Sequence, residues 1–246
     1  MTASLDPEPW RGEPLALGAW RGRRYPGAET LLPEPLEGWC AALAAGRPPP
    51  HDRELKPNSV WACGEVVLKW YPPGSKRRAA LRAADRFRRC LPVPSPRPLA
   101  ALEHAAGGGL LASERIAGVP LADVWERDSA AMAAFPAFMA LMHRHRVYHG
   151  DLHGGNVMWD GRRWVLIDLD SLRPWRFGLL PRRQIRRQWG QLYATRGFPA
   201  VMPQLFAAYA GWLPLRRDPA REWAAIAAYA HALPAVWKAK QARQNG

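Results

Sequence analysis

Apolar and polar positions change rhythm several times along the chain. Between Asn58 and Trp70 the rhythm is that of strands. Val60 to Ala62, a turn at Cys63-Gly64-Glu65, and Val66-Val67-Leu68-Lys69-Trp70 predict a hairpin. Ala80, Ala84, Phe87 and Leu91 then recur at helical spacing, which predicts a helix over Lys76 to Cys90, with Pro73-Gly74-Ser75 as its cap and Pro92 as its stop. Leu91 to Pro98 must be largely extended, because each proline biases its predecessor away from helix. Leu99 to Leu102 and Leu110 to Ile116 read as strands flanking a turn at Gly107-Gly108-Gly109. A short helix is expected over Leu121 to Arg127 and a longer one over Ala130 to His145, where Pro136 either kinks the helix or marks its true first turn. Phe135, Phe138, Met139, Leu141 and Met142 give that helix a wide apolar face suited to core packing. A second hairpin pairs Val157 to Trp159 with Trp164 to Ile167 around Asp160-Gly161. Helices at Pro203 to Trp212 and Pro219 to Leu233 close the chain, each with proline near its first turn.

Residues 1–50 carry little rhythm. Proline, glycine and tryptophan dominate, Leu36 to Ala45 is the one expected helix, and Pro48-Pro49-Pro50 suggests a boundary. The uncharged stretch Ala130 to Met142 holds Pro136 and is shorter than the ~18 residues of a spanning helix. Asp6, Pro7, Glu8 and Pro9 interrupt any basic-then-apolar leader. A soluble or peripheral protein is expected.

Composition narrows the partners. With 48% apolar residues in 246, the chain is globular and long enough for one large domain or two lobes. Its formal charge of +14, from 35 basic against 21 acidic residues, implies an anionic partner: nucleic acid, a lipid surface or a phosphorylated substrate. Cys40, Cys63 and Cys90 are sparse, odd in number and without Cys-x-x-Cys, which fits a reducing cytosol better than a disulfide framework.

The candidate chemistry concentrates between His149 and Asp170. Asp151 and Asn156 sit on one short loop, and the second hairpin delivers Asp168 at its end. One acidic base with two metal-binding side chains is the constellation of a kinase-like phosphotransferase. Upstream, side-chain alternation turns Lys69 with Val67 and opposite to Leu68, so the lysine needs an anionic partner unless its stem snorkels to water. Two other motifs carry less. His145, His149 and His153 would align as metal ligands on a helix, but Gly150, Gly154 and Gly155 break it. Gly107-Gly108-Gly109 lacks the Gly-Lys-Ser/Thr continuation of a phosphate loop. Beyond Asp170 come Arg173, Arg176, Arg182, Arg183, Arg186 and Arg187, interleaved with Pro174, Trp175 and Phe177. These form either a solvated helix face or a surface for an anionic acceptor or membrane.

His149-Gly150-Asp151-Leu152-His153 with Asn156 resembles the catalytic loop of the atypical kinases: aminoglycoside phosphotransferases, RIO-type kinases, and lipopolysaccharide core kinases acting on Kdo or heptose. Ile167-Asp168-Leu169-Asp170 with Leu172-Arg173, and Val93-Pro94-Ser95-Pro96-Arg97-Pro98-Leu99-Ala100, resemble segments of the last group. The resemblance covers roughly residues 55 to 195. It implies an α+β, two-lobed protein-kinase-like fold: an N-terminal extension and small β-rich N-lobe with one main helix over residues 1–115, and a mostly helical C-lobe over 116–246. The implied cofactors are ATP and Mg²⁺. Asp151 would be the catalytic base and His153 a contact to the transferring phosphate; Asn156 and Asp168 would hold the metal. Lys69 would grip the α and β phosphates, and the strand end at Glu114 would offer backbone groups to the adenine at a hinge between lobes. Asp170 is a further metal ligand, an acceptor contact or a cap, and His149 orders the loop.

The chain departs from the pattern in one place. The helix acid that pairs with the strand lysine is at best Asp85, for which solvated pairing with Arg82, Arg88 or Arg89 is the competing reading. Gly150 stands where many protein kinases have arginine, and no Ala-Pro-Glu follows Asp168, which disfavours a regulated protein kinase. The resemblance thus implies a kinase acting on a sugar hydroxyl of the lipopolysaccharide inner core, with lipid A-core glycolipid as partner. It also implies a cytoplasmic location with peripheral contact at an anionic membrane, and no nucleic acid. The alternatives are a small-molecule kinase of the aminoglycoside type and a RIO-like protein kinase or pseudokinase.

Overall fold

The computed structural model describes residues 12–32, 36–76, 78–125, 127–175, 180–194, 201–213 and 218–244. The chain divides into two compact units, Met1–Arg89 with Pro96–Ile116 and Cys90–Ser95 with Ala117–Gly246.

The first unit is built on an antiparallel sheet of seven strands in the order β1-β2-β6-β7-β5-β4-β3. The strands are β1 Glu13–Leu17, β2 Trp20–Arg24, β3 Arg53–Lys56, β4 Val60–Cys63, β5 Val66–Tyr71, β6 Pro98–His104 and β7 Gly109–Glu114. The β4–β5 and β6–β7 hairpins lie where the apolar runs predict them. Gly107 and Gly108, with φ of 99° and 85°, make the second turn in a backbone region that disfavours side chains. The β1–β2 hairpin was not foreseen. In β2, Trp20 is the one buried residue of a Trp-Arg-Gly-Arg-Arg run, so no alternation announces a strand. Its pairing with β6 makes it one, and Gly22 permits the approach: a Cβ there would lie 1.9 Å from the Ala101 carbonyl oxygen.

One face of this sheet carries the unit's core. Trp61, Leu68, Leu102 and Leu110 pack with Trp20, and with Trp39, Cys40 and Leu43 of α2 (Leu36–Ala44), the helix the sequence predicts in the N-terminal segment. Trp20, Ala28, Leu36, Trp39, Cys40 and Leu43 therefore bring the N-terminal segment into this core, with Ala28 on the short helix α1 (Ala28–Leu31). Alternation puts Lys69, its cross-strand partner Leu111, and Glu103 opposite Gly109 on the other face. Helix α3 (Ala79–Cys90) meets that face. It begins later than the Lys76 the periodicity suggests, and Ser75 is not its cap. Instead Glu103, reaching from β6, accepts the Leu81 N–H at 3.1 Å. Ala80, Ala84 and Phe87 bury the predicted stripe, with Ala83 beside them.

The second unit is mainly helical: α4 (Leu121–Val124), α5 (Ser129–Arg144), α6 (Arg182–Ala194), α7 (Met202–Trp212) and α8 (Pro219–Gln244). Helix α5 runs unbroken through Pro136, which lies in its interior and not in its first turn. Its N-terminus is fixed by Asp128, whose side chain accepts the Ala131 N–H at 2.8 Å. Phe135 stands edge-on to Trp164 at 5.4 Å and to Trp189 at 6.0 Å, joining α5, the hairpin and α6 in one aromatic core. The predicted hairpin is β10 (Val157–Trp159) with β11 (Trp164–Leu166), extended by β8 (Val119–Pro120). A second ribbon, absent from the sequence reading, pairs β9 (Val147–His149) with β12 (Leu172–Pro174). A β-rich N-lobe followed by an α-helical C-lobe is the two-lobed protein-kinase-like fold. No helix among the described residues is long and apolar enough to cross a membrane.

Candidate active site

The two ribbons of the second unit set the loop between them. Strand β9 ends at His149, and the chain then passes through Gly150, Asp151, Leu152 and His153 into a short 3-10 turn at Gly154–Asn156 before β10 begins. Leu152 is fully buried and pins this loop from below. The Gly150 N–H donates to the Ser171 carbonyl at 3.1 Å, and the Ile167 N–H donates to the Asn156 carbonyl at 2.9 Å. The loop bearing Asp151 and Asn156 and the segment bearing Asp168 are thus stitched together by backbone bonds.

His149 makes the tightest of these links. Its Nε2–H donates to the Asp168 carbonyl at 2.9 Å, while its Nδ1 accepts the Asp151 N–H at 3.3 Å. The imidazole is fully buried, and burial lowers its pKa below the ordinary histidine value. A neutral ring with one donor and one acceptor is what these two bonds need. His145, His149 and His153 do not share a helix: His149 lies on β9 and His153 on the following loop.

Asp168 has φ 50° and ψ 63°, a left-handed backbone rare for a residue with a side chain. Aspartate enters this region more readily than most residues, and the His149 bond to its carbonyl helps hold it there. Asp170 follows, half-buried, inside a 3-10 turn at Leu169–Ser171.

The side chains on the loop differ in role. Asp151 is 67% exposed. Asn156 is buried, and its Nδ2 donates to the Asp151 carbonyl at 2.9 Å, which leaves Oδ1 as an acceptor turned away from that bond. An amide oxygen and a carboxylate on adjoining turns are hard oxygen donors of the kind Mg²⁺ takes. Among the described residues, no group of three or more His, Cys, Asp or Glu side chains gathers to hold a metal ion, so Asn156 and Asp168 would have to share one with the substrate's own oxygens. His153 Nδ1 accepts the Gly155 N–H at 3.1 Å, and its Nε2 lies 3.9 Å from Asp151 Oδ2.

On the first unit, Lys69 is half-buried in β5, with Nζ 5.9 Å from the centre of the Tyr71 ring. Asp85 on α3 holds Arg88 at 2.7 Å and Arg89 at 2.6 Å, the solvated pairing along its own helix. Glu114 ends β7, where its carboxylate takes Arg97 Nε at 3.2 Å and its N–H donates to the Arg97 carbonyl at 2.9 Å.

The sequence reading missed three residues. Gln191 on α6 donates from Nε2 to the Gly150 carbonyl at 2.9 Å, bracing the loop beside Asp151. Glu103 caps α3, and burial raises its pKa. Glu222 on α8 is 3% exposed and binds Arg186 at 2.8 Å as well as Arg182. The basic run beyond Asp170 is therefore divided: Arg182 and Arg186 turn inward to Glu222, while Arg173, Arg183 and Arg187 are exposed. Arg176 and Phe177 lie outside the described residues. Helical spacing puts Arg182 with Arg186 and Arg183 with Arg187 on α6, since i and i+4 share a face, but only Glu222 decides which pair turns inward.

Residues 118–174, which hold this loop and both ribbons, match the model of the phosphotransferase enzyme family. Two solved structures are similar at low identity. WbdD shares 20% identity, covering 75% of this chain and 46% of its own, with a TM-score of 0.46. The kinase PK-1 of Cydia pomonella granulovirus shares 16% identity, covering 44% of this chain and 43% of its own, with a TM-score of 0.37. The chain thus spans less than half the length of either solved chain. No curated protein matches it.

Proposed function

We propose that the protein is an ATP- and Mg²⁺-dependent phosphotransferase with a hydroxyl acceptor. The observation that carries this reading is the His149 bridge, which ties the backbone of Asp151 to that of Asp168 and so fixes a candidate base relative to a candidate metal ligand. The match of residues 118–174 to a phosphotransferase family model supports it.

The roles follow from phosphoryl-transfer chemistry. Asp151 accepts a hydrogen bond from the acceptor hydroxyl and takes its proton as that oxygen forms its bond to the γ-phosphorus. The bond from the γ-phosphorus to the bridging β–γ oxygen breaks, and its electron pair leaves with ADP. Asn156 and Asp168 would hold Mg²⁺, which would supply positive charge to offset that developing on the transferred phosphoryl group. Lys69 holds the α and β phosphates, and His153 contacts the transferring group. At the strand end, the Glu114 N–H is already engaged by the Arg97 carbonyl, so backbone groups there would meet the adenine through the carbonyl side. Asp85, engaged with Arg88 and Arg89, is a weak partner for Lys69.

For the acceptor, we favour a sugar hydroxyl of the lipopolysaccharide inner core, Kdo or heptose, presented on an anionic glycolipid at the cytoplasmic face of a membrane. The formal charge of +14 and the exposed Arg173, Arg183 and Arg187 support an anionic acceptor. A soluble small-molecule acceptor of the aminoglycoside type is the second reading, favoured by the family match.

Transfer from labelled ATP to core glycolipid, an aminoglycoside and a generic protein, offered side by side, tests both. Label on the glycolipid alone is the expected result. Label on the aminoglycoside alone selects the second reading. Neither transfer nor Mg-dependent ATP hydrolysis overturns phosphotransfer altogether.

A further inference from the structure

The exposed arginines of the basic segment are gathered at one place. Arg173 lies directly opposite Tyr148 in the β9–β12 ribbon, so the two side chains share a face. Arg183, Arg187 and Gln191 follow one another at four-residue intervals along α6, which aligns them in a row. Gln191 anchors that row to the Gly150 carbonyl at 2.9 Å, next to Asp151.

Tyr148 sits beneath these cations. It is 4% exposed, and its hydroxyl has no hydrogen-bond partner among the described residues. Helix α6, which carries Arg183 and Arg187, packs against β9, and Arg173 faces Tyr148 across the ribbon; burial pushes the hydroxyl's pKa up, and the three arginines draw it down. None of the three makes an ion pair with a described carboxylate. The neighbouring arginines differ in this respect: Arg182 and Arg186 already share Glu222. Among the described residues these three guanidinium groups have no carboxylate partner, so an anion placed between them would meet charge-assisted donors not already engaged in an ion pair.

We propose that Arg173, Arg183 and Arg187, around Tyr148, form an anion subsite that holds a phosphate or carboxylate group of the acceptor. Calling that anion part of the acceptor rests on the phosphotransfer reading; the anion binding itself does not. At a rise of about 1.5 Å per residue, Arg187 and Arg183 lie roughly 6 and 12 Å along α6 from the glutamine that braces the Asp151 loop.

Calorimetric titration with inorganic phosphate at fixed ionic strength tests the subsite, using full-length protein in a Lys69→Met background to remove the strand cation. Arg183→Gln with Arg187→Gln is expected to weaken binding by about ten-fold or more. Arg162→Gln, on the Asp160-Gly161 turn, should leave it unchanged. Equal binding by the double variant overturns the assignment, and so does an equal loss in Arg162→Gln, which would reveal diffuse surface charge. Glucose 6-phosphate and vesicles of phosphatidylglycerol with phosphatidylcholine separate the sources. Arginine-dependent binding of either supports the subsite and says whether the anion is free or lipid-borne; binding of neither overturns it. Asp151→Asn should cut transfer by roughly 10²–10⁴-fold and leave phosphate binding intact. Phosphate binding without transfer to any acceptor in the wild type would remove the phosphotransfer reading while the anion subsite stands.

Discussion

The Nε2–H of His149 donates to the carbonyl oxygen of Asp168 at 2.9 Å, across nineteen positions of chain. The acceptor is a residue in the left-handed region, and the other ring nitrogen holds the N–H of Asp151. One buried neutral ring thus fixes two loops. His149→Ala is expected to leave a buried carbonyl and a backbone N–H without partners, costing about 1–3 kcal/mol. Urea unfolding measures the cost. The same variant should slow transfer far more than it weakens ATP binding, because it moves Asp151 and Asp168 without touching Lys69.

Asp151 separates chemistry from stability. Its carboxylate is mostly in water, so Asp151→Asn should leave the urea midpoint within experimental error while transfer falls by roughly 10²–10⁴-fold. Asp168→Ala should abolish Mg-dependent transfer as well. Unchanged turnover in either variant removes the residue from the mechanism.

The interior of the second unit is acid-sensitive through His143. This residue is buried, with Nδ1 2.6 Å from the Tyr209 hydroxyl and Nε2 3.0 Å from Gln188 Oε1, and burial lowers its pKa to about 4. The unfolded chain, with an ordinary value of 6.5, binds the proton first. Stability from this group is therefore complete above the unfolded value and is lost as pH falls from there toward about 4, below which the loss is complete. A shift of this size corresponds to roughly 3 kcal/mol. Urea midpoints at neutral pH and in mild acid should fall accordingly. His143→Gln should flatten that dependence while lowering stability at neutral pH.

Glu222 is the counter-charge for two arginines and is itself almost fully buried. Glu222→Gln is expected to cost about 2–3 kcal/mol, below the usual figure for breaking a buried pair because both arginines keep part of their water. Chemical denaturation of the variant checks this. A loss under half of that would mean the pair is solvated in solution. Arg182→Gln should likewise act on stability, whereas Arg187→Gln should not.

Legibility followed distance along the chain. The β4–β5 and β10–β11 hairpins and helices α2 and α5 were readable because alternation, turn glycines and helical stripes are local signals. The positions of Asp151, Asn156 and Asp168 were readable for the same reason, since one loop and one hairpin carry them all. Strand β2 was not readable, because its Arg-rich sequence becomes a strand only through pairing with β6. Nor was the true start of α3, which is set by Glu103 from a strand more than twenty residues later. The basic run after Asp170 could be counted but not divided. Nothing in the order of Arg182, Arg183, Arg186 and Arg187 reveals that Glu222 takes two of them.

By itself, then, the sequence determined the β4–β5, β6–β7 and β10–β11 hairpins, helices α2, α5, α7 and the start of α8, and the grouping of Asp151, Asn156 and Asp168 between His149 and Asp170. The tertiary structure decided which groups meet across long separations: His149 with Asp168, Gln191 with Gly150, Glu222 with Arg182 and Arg186, and Tyr148 with Arg173 across the β9–β12 ribbon. The division has a physical cause. Periodicity and turn chemistry act between neighbours in sequence, whereas the pairing of buried charges and polar groups depends on which elements pack together in space.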